Sequence, residues 1–237
     1  MTGAWYASGG SRARDLWTLL HPPYTSMVLG TVVIGAALSP VLHVDRLVGL
    51  LVAYLLGLGG AAHFLDEARG HPWGTGFSTS ALYVLAALTL IPAVGIGIYF
   101  AHTVDLLFLP FVILGTFFAL AYNLEWFGGF FHTDPWFAFS WGALPFLTSH
   151  YLQMGMVAVW AVPLAGALAC TAGVQISLSR WVKGHRRRAP AGDGSESSSG
   201  LESVDIARLI ARPQLALKLI VWVLDLLAVA LLLRRIL

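Results

Sequence analysis

Three short polar runs interrupt a chain that is otherwise apolar. The first is His63-Phe64-Leu65-Asp66-Glu67-Ala68-Arg69-Gly70-His71-Pro72-Trp73-Gly74. On a helix, residues three and four apart share a face, so His63, Asp66 and Glu67 point the same way. One imidazole and two carboxylates on one face can hold a divalent cation or share a proton. The same residues can instead form a helix-end cluster in which Asp66 or Glu67 pairs with Arg69. The second run is Tyr122-Asn123-Leu124-Glu125-Trp126, followed by an aromatic loop that carries His132 and Asp134. Glu125, His132 and Asp134 form a second candidate site, and the Trp and Phe residues around them read as an interfacial belt. The third run, Ser149-His150-Tyr151-Leu152-Gln153, holds a lone histidine that reads as a structural hydrogen-bonding group.

The elements that carry these runs follow from composition. Of 237 residues, 57% are hydrophobic and only 11% are charged, against roughly a quarter charged in an ordinary soluble domain. So few charges cannot cover a water-facing surface, and lipid removes the need. Apolar runs suited to a bilayer lie at about residues 24–42, 47–65, 80–101, 106–122, 136–152, 154–178 and 215–233. The fold class is therefore all-α, a polytopic transmembrane bundle of about seven spans. With the N-terminus cytoplasmic, Arg46, Arg234 and Arg235 alone of the 14 Lys and Arg fall outside, which satisfies the positive-inside tendency. That topology puts the first two polar runs at the cytoplasmic ends of spans and the third near the outer face. Ionisable groups at membrane depth are costly, so their clustering marks functional candidates. Gly57, Gly59 and Gly60 suit a close approach of helices.

Residues 1–182 thus form a six-span bundle and 204–237 an interfacial segment with the final span, inside which Asp225 stands out. Residues 183–203 turn basic and then Gly/Ser-rich, which reads as a flexible cytoplasmic linker, with Arg186-Arg187-Arg188 at anionic headgroups. The formal charge of +2 and the lack of a basic patch interleaved with aromatics argue against nucleic acid. Cys170 is the single cysteine, so there is no disulfide framework and no cysteine metal site. The expected location is the cell's inner (plasma) membrane, with the bilayer as first partner.

Several stretches then resemble the UbiA-type intramembrane prenyltransferases: His21-Pro22-Pro23-Tyr24 before the first span, the acidic end of the second span, Ala121-Tyr122-Asn123, and Trp141-Gly142-Ala143-Leu144-Pro145. The likeness covers roughly residues 15–155. It implies a helical bundle around a cavity near the cytoplasmic face, where Mg²⁺ helps ionise a prenyl diphosphate and a lipophilic acceptor captures the cation. Carried over, it implies Asp66, Glu67 and Tyr122 as catalytic residues, with His63, Asp66 and Glu67 toward the metal. His21, Arg69, His71, Asn123, Glu125, His132 and Asp134 would meet substrate. His63 stands where the family's first Asp would be, and the segment after the sixth span is basic where a second acidic motif is expected. Two alternatives stay open. One is a non-catalytic homologue that binds a lipid or isoprenoid quinone, or serves in a membrane complex or homo-oligomer. The other is a transition metal at His63, Asp66, Glu67, Glu125 and His132, since imidazole favours softer ions.

Overall fold

Each helix starts where the chain supplies a reason to start. The Ser11 hydroxyl accepts the Arg14 N–H and caps α1 (Arg12–Leu19). His21 then takes a left-handed conformation, φ 45°, which turns the chain into α2 (Pro22–Ala37). Pro22 and Pro23 occupy first-turn positions where a missing N–H costs nothing. In this computed structural model, residues 11–188 and 199–237 are described, with side chains over 11–186 and 207–237. Among them the chain is helix and turn, without strand.

Among the described residues, six longer helices follow, with a short turn of helix at Trp126–Gly129. α3 (Val44–Ala68) is one long rod whose middle, Leu55–Ala62, widens into a π-helix. α4 (Thr79–Thr103) is capped by Ser78, which accepts from Ala81 N–H. Asp105 accepts the Leu107 N–H at the start of α5 (Leu106–Ala121). α6 runs over residues 134–154, again with a π turn at Phe139–Ala143. α7 (Ala161–Arg188) and α8 (Ser199–Ile236) complete the bundle. Among the described residues, four helices are long and apolar enough to cross a membrane: Val44–Ala68, Thr79–Thr103, Ala161–Arg186 and Ala207–Ile236. Exposed Leu88 and Ile91 on α4, and Trp222 and Leu226 on α8, face outward as a lipid-contacting surface would. The chain is an integral membrane protein by this architecture.

Each of the seven expected runs overlaps a helix, four of them in the helices long enough to cross, and three boundaries differ. The first run's helix already ends at Ala37. Gly155 adopts φ 73° and ends α6, and residues 156–160 form a connection before α7 starts at Ala161. The sixth run therefore enters its helix later than its hydropathy indicated. Residues 183–188, expected to open the linker, continue α7, and 199–203 already belong to α8. The remainder of the expected linker, residues 189–198, lies outside the described residues.

α2 is central, packed against α3, α6 and α8. Its Ser26 hydroxyl donates to Asp225 at 2.8 Å, which accounts for the carboxylate in the last helix. α6 and α7 meet at Gly142, where an added Cβ would lie 2.4 Å from the Leu168 carbonyl oxygen. Only glycine allows that approach. At Gly59 a Cβ would sit 2.8 Å from the Thr25 methyl, so the glycine-rich part of α3 does let α2 come close.

The third polar run closes one end of the bundle. Gln153 bonds both ways to the His43 backbone, at 2.7 and 3.1 Å, and Arg46 donates to the Leu152 carbonyl at 2.9 Å. His150 is fully buried, with Nδ1 3.3 Å from the Ser39 hydroxyl. These residues hold helix ends together, and the other end of the bundle carries the first two runs.

Candidate functional site at the polar end

The last turn of α3 and the loop after it form one unit built around Glu67. Gly70, His71 and Gly74 all take positive φ, at 127°, 50° and 62°, which curls the loop back over the helix end. The Glu67 carboxylate, fully buried, accepts the Trp73 N–H at 2.9 Å. It also accepts the Thr75 N–H and the Thr75 hydroxyl, each at 2.8 Å. His71 Nδ1 stands 3.4 Å from it. Three donors on a buried carboxylate satisfy loop amides that would otherwise be left without partners. Glu67 is thus committed to the loop, and α1 joins the same unit where Gly76 N–H donates to Asp15 at 3.1 Å.

His63 takes another direction. Its Nδ1 lies 3.1 Å from the Gly59 carbonyl, and a carbonyl can only accept, so Nδ1 carries the proton and Nε2 is left as an acceptor. Its ring lies 4.3 Å from the His21 ring and 5.2 Å from Trp141. His21 meets Trp73 at 4.4 Å, and Lys183 Nζ sits 4.4 Å over the Trp73 ring. A column of four rings, Trp141, His63, His21 and Trp73, therefore runs from α6 to the loop, topped by a cation. Burial holds the His21 pKa well below the usual imidazole range, and the neighbouring His63 and Lys183 push it the same way.

Asp66 faces the space beside this column. It receives a hydrogen bond from the Trp73 side chain and lies within electrostatic reach of Lys183 and His132. Tyr122 stacks on His132 at 4.5 Å and hydrogen-bonds to Arg180. His132 Nδ1 donates to the Tyr122 carbonyl at 2.9 Å, and Arg180 pairs with Asp134 at 2.6 Å. Tyr24 reaches Ser179 and Gln175 on α7.

The expected site residues thus separate into groups. His21, His63, Asp66, Tyr122 and His132 converge at one end of the bundle, and Asp134 joins them through Arg180. Glu67 turns into the loop. Arg69 and Glu125 form an ion pair at 2.9 Å on the exposed rim, and His71 stays on the rim beside Thr79, at 3.2 Å. Asn123 is buried just past α5 and donates to the Ala119 carbonyl in that helix's last turn, 2.8 Å away.

Lys183, Arg180 and Trp73 are additional members that the motifs did not single out. The signal for the cations was present as spacing. Gln175, Ser179 and Lys183 recur every four residues, one polar face of a helix that continues past the apolar run. The three residues that the family resemblance implies toward Mg²⁺ are engaged differently in the structure. Glu67 is sealed and engaged by the loop, His63 Nδ1 is tied to its own helix, and Asp66 alone remains as a carboxylate there. Among the described residues no three His, Cys, Asp or Glu side chains are grouped to hold a metal ion. What the arrangement offers is two cations, a carboxylate and a neutral aromatic column at the edge of an apolar bundle. Compared with known proteins, no family model matches the chain, and neither a curated protein nor a solved structure does.

Proposed function

We propose that the protein binds an isoprenoid lipid with an anionic head, its head at the polar end and its chain in the membrane, as a relative in outline of the UbiA-type proteins. The observation that carries this reading is the placement of Lys183 and Arg180 beside Trp73 and Tyr122, with Asp66 between them, while Glu67 is consumed by the loop. Cations held by aromatic and carboxylate neighbours suit a phosphate or diphosphate head. Seven spans with a cytoplasmic N-terminus in the inner membrane fit the charge distribution and put this end on the cytoplasmic side. Service within a membrane complex or a homo-oligomer is compatible with the same site.

A second reading, prenyl transfer from a prenyl diphosphate to a lipophilic acceptor, draws on Asp66. This carboxylate lies within reach of Lys183 and His132, with the Trp73 side chain as its hydrogen-bond donor. One experiment separates the two: binding of geranylgeranyl diphosphate to the purified protein in Mg²⁺ or in EDTA, with turnover followed by product extraction. Binding that survives EDTA and is lost in Lys183→Ala supports the lipid-binding reading. Mg²⁺-dependent binding with turnover, abolished in Asp66→Asn, supports transfer. No binding in either buffer refutes both.

A further inference from the structure

A cavity lies at mid-depth of the bundle, away from the polar end. It measures about 80 Å³, several times the room that one water needs. Its walls come from the middle of α3 (Tyr54, Gly57), the middle of α4 (Val94, Gly97) and α5 (Val112, Gly115), with α6 behind. Two of these helices, Val44–Ala68 and Thr79–Thr103, are long and apolar enough to span a bilayer, so the cavity sits within the hydrocarbon layer. Half-buried Gly57, Val94 and Gly115 mark where it meets the surrounding lipid. Toward the polar end, Leu58 packs with Tyr122, Phe137 and Trp141 in a single buried cluster that forms a roof.

The chemistry of the lining is decided by its hydroxyls. Four lining residues carry one, and each has already spent its donor. Tyr54 donates to Thr148 at 2.9 Å and Thr148 to the Leu144 carbonyl at 2.7 Å. Thr116 donates to the Val112 carbonyl at 2.8 Å and Ser140 to the Trp136 carbonyl at 2.7 Å. The remaining lining is aliphatic, aromatic or glycine. A polar or charged guest would lose its hydration there and find no donor in return. A hydrocarbon chain loses nothing.

We propose that this cavity is a lateral binding site for the hydrocarbon chain of an uncharged bilayer lipid, entered sideways between α4 and α5. It deepens the lipid-binding reading but stands on a different part of the molecule, so either can fail without the other. Gly115 provides the test, because a Cβ built there meets nothing within 4 Å. Gly115 lines the cavity, so Gly115→Leu puts a side chain at its wall without a backbone clash.

The experiment is photolabelling of the full chain in nanodiscs with diazirine-tagged geranylgeraniol, an uncharged probe. The expected result is labelling concentrated on residues 90–97 and 111–119 and competed by unlabelled geranylgeraniol. Labelling should fall about tenfold in Gly115→Leu, the effect of displacing two buried methylenes of the chain. Val94→Phe adds bulk to the same cavity from α4 and gives the same fall if Gly115→Leu does not fold. Lys183→Ala leaves this labelling unchanged. Uniform, uncompeted labelling that also covers the exposed Leu88 and Trp222 overturns the proposal. So does labelling that drops in Lys183→Ala and persists in Gly115→Leu, since the chain would then enter from the polar end.

Discussion

Replacing Glu67 with alanine should destabilise the protein even when no metal is present. The carboxylate is fully buried and accepts the backbone N–H groups of Trp73 and Thr75 together with the Thr75 hydroxyl. The hydroxyl can rotate toward water, but the two amides are fixed by the loop. Leaving a buried donor without a partner costs about 1–3 kcal/mol, so Glu67→Ala should cost about 2–6 kcal/mol. Glu67→Gln keeps one acceptor oxygen and turns an amide against a loop N–H, and should cost about 1–3 kcal/mol. The assay is unfolding in mixed micelles with EDTA present, paired with hydrogen exchange at the Trp73 and Thr75 amides. Both amides should exchange faster in Glu67→Ala. A carboxylate whose task is to hold a cation would behave in the opposite way, because its removal relieves repulsion from Asp66 in metal-free protein. Unchanged or increased stability in EDTA, with both amides still protected, would refute the loop assignment.

Two other perturbations test different parts of the molecule. Gly142→Ala pushes a Cβ to 2.4 Å from the Leu168 carbonyl oxygen and should cost about 1–3 kcal/mol, the usual range for overpacking. Gly166→Ala, where nothing lies within 4 Å, should be tolerated, and equal unfolding midpoints for the two variants would contradict the close α6–α7 approach. The buried His21, with His63, Trp73, Tyr24 and Lys183 around it, has a folded-state pKa below the ordinary 6.5. Between those two values the unfolded chain holds a proton that the folded chain does not, so stability rises with pH and is lost as pH falls below about 6.5. Thermal midpoints between pH 5 and pH 8 should show that slope, and His21→Gln should flatten it. A variant that keeps the whole slope would show that His21 is not its source.

The helices were legible because hydropathy and length alone nearly determine them in lipid. Meeting of the first two polar runs at one end also followed, from counting spans and assigning charge. The direction of each side chain did not follow. Shared spacing puts His63 and Glu67 on one face, but it does not say which neighbour reaches each first. The Trp73 and Thr75 amides reach Glu67 only because Gly70, His71 and Gly74 take positive φ, and at His71, which carries a Cβ, that conformation is decided by tertiary fit. Lys183 was hidden by a different cause. Hydropathy falls after Leu178, which reads as the end of a helix, whereas the polar face formed by Gln175, Ser179 and Lys183 is kept helical by Tyr24 and Trp73 across the bundle. A helix held by polar tertiary contacts carries little signature in an apolar scale.

The bond between Ser26 and Asp225 also bears on how the protein is made. The contacts of Glu67 close over 6 and 8 residues of chain and the Arg69–Glu125 pair over 56, whereas Ser26 and Asp225 are 199 residues apart. A chain emerging from the ribosome can therefore complete its loop early and its rim pair midway. The α2 surface around Ser26 and Gly30 stays uncovered until the last helix enters the bilayer. α8 then acts as a keystone that closes over α2, near the start of the bundle. Until it arrives, an exposed hydroxyl and a small-residue surface distinguish the unfinished protein from the finished one, a difference that quality control in the membrane could recognise.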